Sequence, residues 1–267
     1  MTSSLVQSHA LIGHSGFVGS TLKKQHSFTH LYRSSDIDTI SGLDLDLVIC
    51  AGAPAKKWVA NQQPEEDWAG IERLMAILST ITAEQFVLIS TVDVFNHPVN
   101  VDELSTVETE NLHPYGLHRR RLEEFVEAQF PSSLIVRLPG LVGPGLRKNV
   151  IYDLHHNNDL HKIDHRAVFQ FYPMINLWSD IRKALALSQH HLIHLTAEPI
   201  SVGTLSEEAF GKPFANEAMA HPPAYDFQSV YASSFGGSGR YQYSKRETIQ
   251  ATRAYTQTEP TTEERSP

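Results

Sequence analysis

Three glycines spaced three apart, in Gly13-His14-Ser15-Gly16-Phe17-Val18-Gly19, follow the apolar run Ala10–Ile12. Such a pattern lets a chain turn tightly off a strand, bring its backbone close to a pyrophosphate and aim the N–H groups of a following helix at it. Gly13, Ser15, Gly16, Phe17, Val18 and Gly19 are therefore candidate ligand-binding residues. The spacing is G-x-x-G-x-x-G, not the commoner G-x-G-x-x-G, and a strand-to-helix turn holding no ligand is the alternative. A second apolar stretch ends at Leu31-Tyr32-Arg33-Ser34. A dinucleotide site places an acidic residue at such a tip to hold a ribose 2′-hydroxyl, or an arginine to take a 2′-phosphate. Arg33 with Ser34 favours NADP over NAD, although Asp36 lies close enough to reach back to a ribose, and Arg33 alone also fits a solvated surface charge. A third run ends in Ala51-Gly52-Ala53, whose small side chains suit either the adenosine side of a cofactor or close helix–strand packing.

These residues need a frame. Ala10–Ile12, Leu31–Tyr32, Leu47–Ala51, Phe86–Ile89, Leu134–Leu138 and Leu192–Leu195 are short apolar runs without polar alternation, as in strands buried on both faces. Phe17–Gln25, Glu65–Thr80 and Tyr115–Gln129 read as helices; Trp68, Ile71, Leu74, Met75 and Leu78 recur at helical spacing. Strands alternating with helices imply an α/β protein with a parallel sheet. Beyond Pro139 the spacing becomes irregular and aromatic residues cluster in 169–172 and 225–243, the texture of a smaller lobe. The predicted organisation is a sheet domain over 1–138 and about 175–200, a lobe over 139–174 and 201–255, and a disordered tail over 256–267.

The 267 residues carry 22 Lys+Arg against 30 Asp+Glu, a formal charge of -8. That balance argues against non-specific nucleic-acid binding, which depends on phosphate neutralisation. The single cysteine, Cys50, excludes an intramolecular disulfide. No secretory signal and no apolar run long enough to cross a membrane is visible, so the expected location is cytoplasmic. Among 15 histidines the densest group is His155, His156, His161 and His165. The turn-like 157–159 and a strand over Leu160–Ile163 break any ligand spacing, and no metal site is expected.

Further motifs follow in order: Ile89-Ser90-Thr91-Val92-Asp93-Val94-Phe95, Pro114-Tyr115-Gly116-Leu117-His118-Arg119, and Val136-Arg137-Leu138-Pro139-Gly140-Leu141-Val142-Gly143-Pro144. Together with the glycine loop and Ala51-Gly52-Ala53, over roughly residues 8–255, the sequence resembles the extended short-chain dehydrogenases/reductases of the NAD-dependent epimerase/dehydratase type. The 89–95 stretch is most similar to dTDP-4-dehydrorhamnose reductases. The resemblance implies a Rossmann-type doubly wound parallel sheet with a small C-terminal substrate lobe, and NADP or NAD as cofactor. It implies an oxidoreductase or epimerase/dehydratase acting on a sugar nucleotide or similar carbonyl or alcohol.

By the same resemblance, Thr91 would hydrogen-bond the substrate oxygen and Tyr115 would pass its proton. A phenol with a pKa near 10 needs a neighbouring cation for that work at neutral pH. The family's lysine, four residues after the tyrosine, is replaced here by Arg119. Arg119 keeps the charge one helical turn from Tyr115 but is a planar fork, not a compact ammonium; its alternative role is a helix-surface charge paired with Glu123 or Glu124. Pro139 and Gly140 would flank the nicotinamide, and Asp93, Asn149 and Tyr172 would contact substrate. The expected partners are a small-molecule substrate and, for assembly, a second copy in a homodimer, with no nucleic acid and no membrane. The arginine also raises an alternative: a catalytically inactive dinucleotide-binding sensor or assembly protein.

Overall fold

The computed structural model describes residues 7–187 and 191–261. The chain divides into two compact units. The first runs to Asn96 and takes in Thr106–Arg137 and Leu177–Ile193; the second holds His97–Ser105, Leu138–Asn176 and the chain from His194 onward.

The first unit is built on β1 (His9–Ile12), β2 (His30–Tyr32), β3 (Asp44–Cys50), β4 (Thr82–Thr91), β5 (Ser133–Leu138) and β6 (Leu192–His194), in the order β6-β5-β4-β3-β1-β2. β1 pairs in parallel with both β2 and β3, and β3 with β4. Parallel neighbours require crossovers, which are supplied by α1 (Phe17–Gln25), α2 (Lys57–Gln62), α3 (Pro64–Leu78), α4 (Pro114–Gln129) and, before β6, α6 (Leu177–Ala186). Val48, Ile49, Phe86, Val87, Ile135 and Val136 are fully buried, as strands covered on both faces must be. The chain leaves β1 to form β2 on one side and returns to form β3 on the other. The ends of β1 and β3 are thus the switch point at which open α/β sheets bind ligands. Only a short 3-10 turn, Ile37–Ile40, lies between β2 and β3. β2 is therefore the edge, where the commonest dinucleotide-binding order would add another strand.

α4 is pinned to the sheet by a buried charge network. The Arg137 guanidinium of β5 donates to both carboxylate oxygens of Glu123, Nε at 2.9 Å and Nη2 at 2.6 Å. The Ser90 hydroxyl and Arg120 complete the carboxylate's partners. Glu123 and Arg137 are both sealed from solvent, so each charge depends on the other.

In the second unit, Gly140–Val142 pairs with Phe171–Pro173, Val168–Phe169 with Ile200–Ser201, and Val99–Val101 with Asp226–Phe227. Its helices are α5 (Val150–His156), α7 (Val202–Phe210) and α8 (Lys245–Thr258). His97–Ser105 belongs here because the Glu103 carboxylate accepts from His194 N–H, the Ser229 hydroxyl and Val230 N–H. Two expectations need correction. Leu160–Lys162 is a 3-10 turn, not a strand, entered through Asn157 and Asp159 in the left-handed region. The segment predicted as tail begins inside α8, which a Ser244–Glu247 capping box starts and which continues through Thr258. Residues 262–267 lie outside the described part of the chain.

The Glu123–Arg137 pair gives a stability prediction. Glu123→Leu buries an uncompensated guanidinium and is expected to cost about 3–5 kcal/mol. Glu123→Leu/Arg137→Met is expected to recover most of that loss. Urea unfolding midpoints at neutral pH check both; a single variant as stable as wild type contradicts the assignment.

Candidate active site

The loop after β1 is shaped by what cannot fit there. Gly13 has φ +84°, and a side chain on it would lie 2.3 Å from the Ala51 carbonyl oxygen. A Cβ on Gly19 would lie 2.1 Å from the Gly13 carbonyl oxygen. These two glycines are demanded by the close approach of β1, β3 and α1. Gly16 differs: it is exposed, and its nearest neighbour to an added Cβ is the Gly13 oxygen at an ordinary 3.5 Å. Gly16 is also the N-cap of α1 and brings no capping side chain, and no acidic residue occupies the first turn. The N–H groups at Phe17, Val18 and Gly19 are therefore left without a side-chain cap beside an exposed Ser15, an arrangement suited to an anion.

At the end of β2 the Arg33 side chain is 59% exposed. Its N–H donates to Asp36 at 2.7 Å and its guanidinium lies 3.4 Å from the same carboxylate. Asp36 is thus turned onto Arg33, with Ser34 exposed beside it. At the end of β3, Ala51, Gly52 and Ala53 are half-buried; a Cβ on Gly52 would meet the Ile12 side chain at 3.0 Å, so packing already accounts for the glycine. Cys50 is fully buried, and burial pushes its thiol up to about 11, which makes it inert at neutral pH.

Thr91 and Tyr115 come together closely enough for the Thr91 hydroxyl to act on the Tyr115 phenol and favour its ionisation, against the larger effect of burial. Thr91 Oγ1 also accepts from Asp93 N–H at 3.1 Å, which fixes the turn after β4. α4 begins against that turn, and Gly116 permits the contact: a Cβ there would lie 2.1 Å from the Asp93 carbonyl oxygen. His113 caps α4, its Nδ1 accepting from Gly116 N–H at 3.0 Å, and Asn61 of α2 accepts from Tyr115 N–H at 3.0 Å. Burial raises the Tyr115 phenol above its ordinary value; Arg119 pulls the other way without cancelling it, and Asp93 adds to the rise.

Arg119 is no surface charge. It is 3% exposed, and its guanidinium carbon lies 4.0 Å from the centre of the Tyr115 ring. Nη2 donates to Asp67 Oδ1 at 2.9 Å and to the Pro54 carbonyl; Nη1 donates to Asp67 Oδ2 and, at 3.3 Å, to the Tyr115 carbonyl. Nε is buried without a partner among the described residues. His118 bonds the same Asp67 carboxylate at 2.7 Å. Burial would raise the Asp67 carboxyl, but the hydrogen bonds and charges of Arg119 and His118 outweigh it and hold the carboxyl below the usual range. The pairing with Glu123 and Glu124 considered for Arg119 is made by Arg120 instead.

The remaining candidates lie in the second unit. Pro139 is buried, and a Cβ on Gly140 would lie 2.7 Å from the Gln170 carbonyl oxygen, so strand pairing explains that glycine. Two substrate roles do not fit. Tyr172 has no exposed surface and packs edge-on against Tyr243. The Asn149 side chain caps α5 by accepting from Ile151 and Tyr152 N–H and donates to the Leu141 carbonyl, leaving little to offer a ligand. Sequence reasoning missed Lys57, Asn61, Asp67 and His113. The first three are separated from Tyr115 by 48 residues or more of chain, and no motif marks them. The Lys57 ammonium lies 2.7 Å from Asp93 Oδ1.

No family model and no curated protein matches the sequence. Solved structures do match in fold. dTDP-4-dehydrorhamnose reductase from Bacillus anthracis, in complex with NADP, is similar at TM-score 0.71 and 16% identity over 95% of this chain and 99% of that one. The Bordetella bronchiseptica enzyme WbmH, in complex with NAD+, gives 0.71 and 15% over 95% and 99%. UDP-glucose 4-epimerase from Thermotoga maritima, with UDP-glucose, gives 0.67 and 12% over 94% and 98%. The chain thus has the Rossmann-type fold of these solved structures.

Asp67→Ala strands the buried Arg119 charge and is expected to cost about 3–5 kcal/mol in urea unfolding at pH 7. Because the folded-state pKa of Asp67 lies below the unfolded value, its contribution is present above about pH 3.9 and is lost as pH falls through the depressed folded value. The difference between wild type and Asp67→Ala should therefore shrink on acidification below about pH 4; a difference independent of pH there contradicts the assignment.

Proposed function

We propose that this protein is an NAD(P)-dependent oxidoreductase, or epimerase/dehydratase, acting on a carbonyl or alcohol of a sugar nucleotide or a similar compound, with NADP preferred. The observation that carries the reading is Gly16: packing does not require a glycine there, whereas close approach of a pyrophosphate to the uncapped start of α1 does. The fit continues along the sheet edge. Arg33 is an exposed cation at the end of β2, which supports a role in holding a 2′-phosphate, and the small side chains of Ala51-Gly52-Ala53 support a role beside the adenosine. Solved structures of the same fold contain NADP or NAD+.

A nicotinamide dinucleotide supplies or takes a hydride. The chain's own residues manage the oxygen that becomes a carbonyl or an alcohol. Thr91 orients that oxygen by hydrogen bonding, and Tyr115 exchanges a proton with it. Tyr115 is protonated at neutral pH as an ordinary phenol is, and burial raises its pKa further. A protonated phenol can give its proton to a carbonyl oxygen as that carbonyl is reduced. Asp93, beside Thr91 on the same turn, is the remaining candidate for a substrate contact.

A second reading is a dinucleotide-binding protein without turnover. It draws support from Arg119, whose Nη1 and Nη2 donors are committed to Asp67 and to backbone carbonyls. NADPH and NADH fluorescence titrations, with a carbonyl-substrate screen, separate the two readings.

Under the first reading, Tyr115→Phe loses turnover by roughly 10²–10⁴-fold, the range for a general acid, while NADPH still binds. Full activity in that variant sinks the mechanism, and wild-type binding without turnover on any substrate favours the second reading. Arg33→Ala is expected to weaken NADPH binding by about tenfold, worth roughly 1.4 kcal/mol, and to leave NADH unchanged. Equal loss for both cofactors removes the 2′-phosphate role.

A further inference from the structure

We propose that Lys57, positioned by Asp93, is the cation that meets a ligand oxygen beside Tyr115, and that Arg119 is not. The inference rests on the dinucleotide reading above and deepens it. Arg119 cannot turn toward a ligand without giving up its paired hydrogen bonds to the buried Asp67 carboxylate, which would be left to His118 alone. Its charge acts on the Tyr115 ring from behind, within the protein.

Lys57 is the first residue of α2, and its side chain is 38% exposed. An ammonium carries three donors. One goes to Asp93 Oδ1 at 2.7 Å, and the described residues offer the others no partner. The geometry around it converges on Tyr115. Asn61, one helical turn after Lys57 and so on the same face of α2, holds the Tyr115 N–H. Asp93, the partner of Lys57, is tied through its own N–H to Thr91, which lies beside the phenol. His113, the cap of α4, feels the positive charge of Lys57 as well as the Asp93 carboxylate; burial first, then Lys57, lowers its pKa and keeps it neutral.

The charged groups acting on Tyr115 are Asp93 from the turn after β4, Asp67 from α3 and Arg119 from α4; the ring of His113, the cap of α4, lies 6.4 Å from the Tyr115 ring, and Lys57 of α2 pairs with Asp93. Asp93 opposes ionisation of the phenol, and Lys57 offsets Asp93. A ligand oxygen meeting the two remaining Lys57 donors would lie next to the residues that handle the proton. That oxygen belongs to the cofactor or to the substrate, and the two sources give different results.

The test compares wild type with Lys57→Met, Lys57→Arg and Lys57→Met/Asp93→Asn. Three quantities are read: the Kd for NADPH, the substrate KM, and the ionisation of Tyr115. The last is followed by ultraviolet difference absorbance against the matching Tyr115→Phe protein without ligand. In Lys57→Met, either the NADPH Kd or the substrate KM is expected to rise about tenfold, naming cofactor or substrate as the source of the oxygen. The phenol should titrate at higher pH. Lys57→Arg should restore most of both effects. The double variant should bring the titration back toward wild type while binding stays weak. Unchanged Kd, KM and titration in a folded Lys57→Met protein overturn the proposal. A wild type that binds neither NADPH nor NADH overturns the dinucleotide reading instead; an unmoved phenol titration then removes the Lys57–Tyr115 coupling as well.

Discussion

At the switch point between β1 and β3 three backbone segments meet at distances that admit no side chain. Gly13 turns in the left-handed region against the Ala51 carbonyl, and Gly19 brings α1 down onto the Gly13 carbonyl. The Gly13 N–H donates to Tyr32 at 2.7 Å, and the Ala51 N–H to Ile12 at 2.9 Å, so the ends of β1, β2 and β3 are locked into one surface. The start of α1 points along that surface. A helix whose first N–H groups lack a cap is costly unless water or a ligand serves them, and the candidate binding site follows directly from this packing.

The second half of the site depends on a buried ion pair. α3, α4 and the loop after β3 are joined where Arg119 meets Asp67 and the Pro54 carbonyl. The same contact sets the Tyr115 ring against a cation and keeps the phenol away from water. Arginine suits this place better than lysine, because a planar fork can serve a carboxylate and two carbonyls together. The substitution that looks like a loss of catalytic machinery is thus, in the folded chain, a clamp. The exposed cation of the cluster comes from α2.

Much of the first unit was legible in the sequence because its signals are local. Phe17–Gln25 is helical over the predicted span, and the buried apolar runs became the strands of the sheet. Thr91 and Tyr115 were identified from motif resemblance, and the structure brings them into contact. What sequence could not supply were partners fixed by long-range packing: Asp67 for Arg119, Asp93 for Lys57, Asn61 for the Tyr115 amide. The second unit was least legible. Its strands are two or three residues long, too short for periodicity to register, and Asn149 and Tyr172 drew attention by type while their side chains serve capping and packing. The predicted tail starts too early, because the polar composition of 256–258 hides the last turn of a well-capped helix.

Crystallisation of the full chain with NADPH would examine the whole arrangement at once. The account predicts the pyrophosphate on the N–H groups of Phe17, Val18 and Gly19, the 2′-phosphate at Arg33, and Arg119 still paired with Asp67. An Arg119 swung off Asp67 onto the ligand, or a nucleotide seated away from the start of α1, would contradict it.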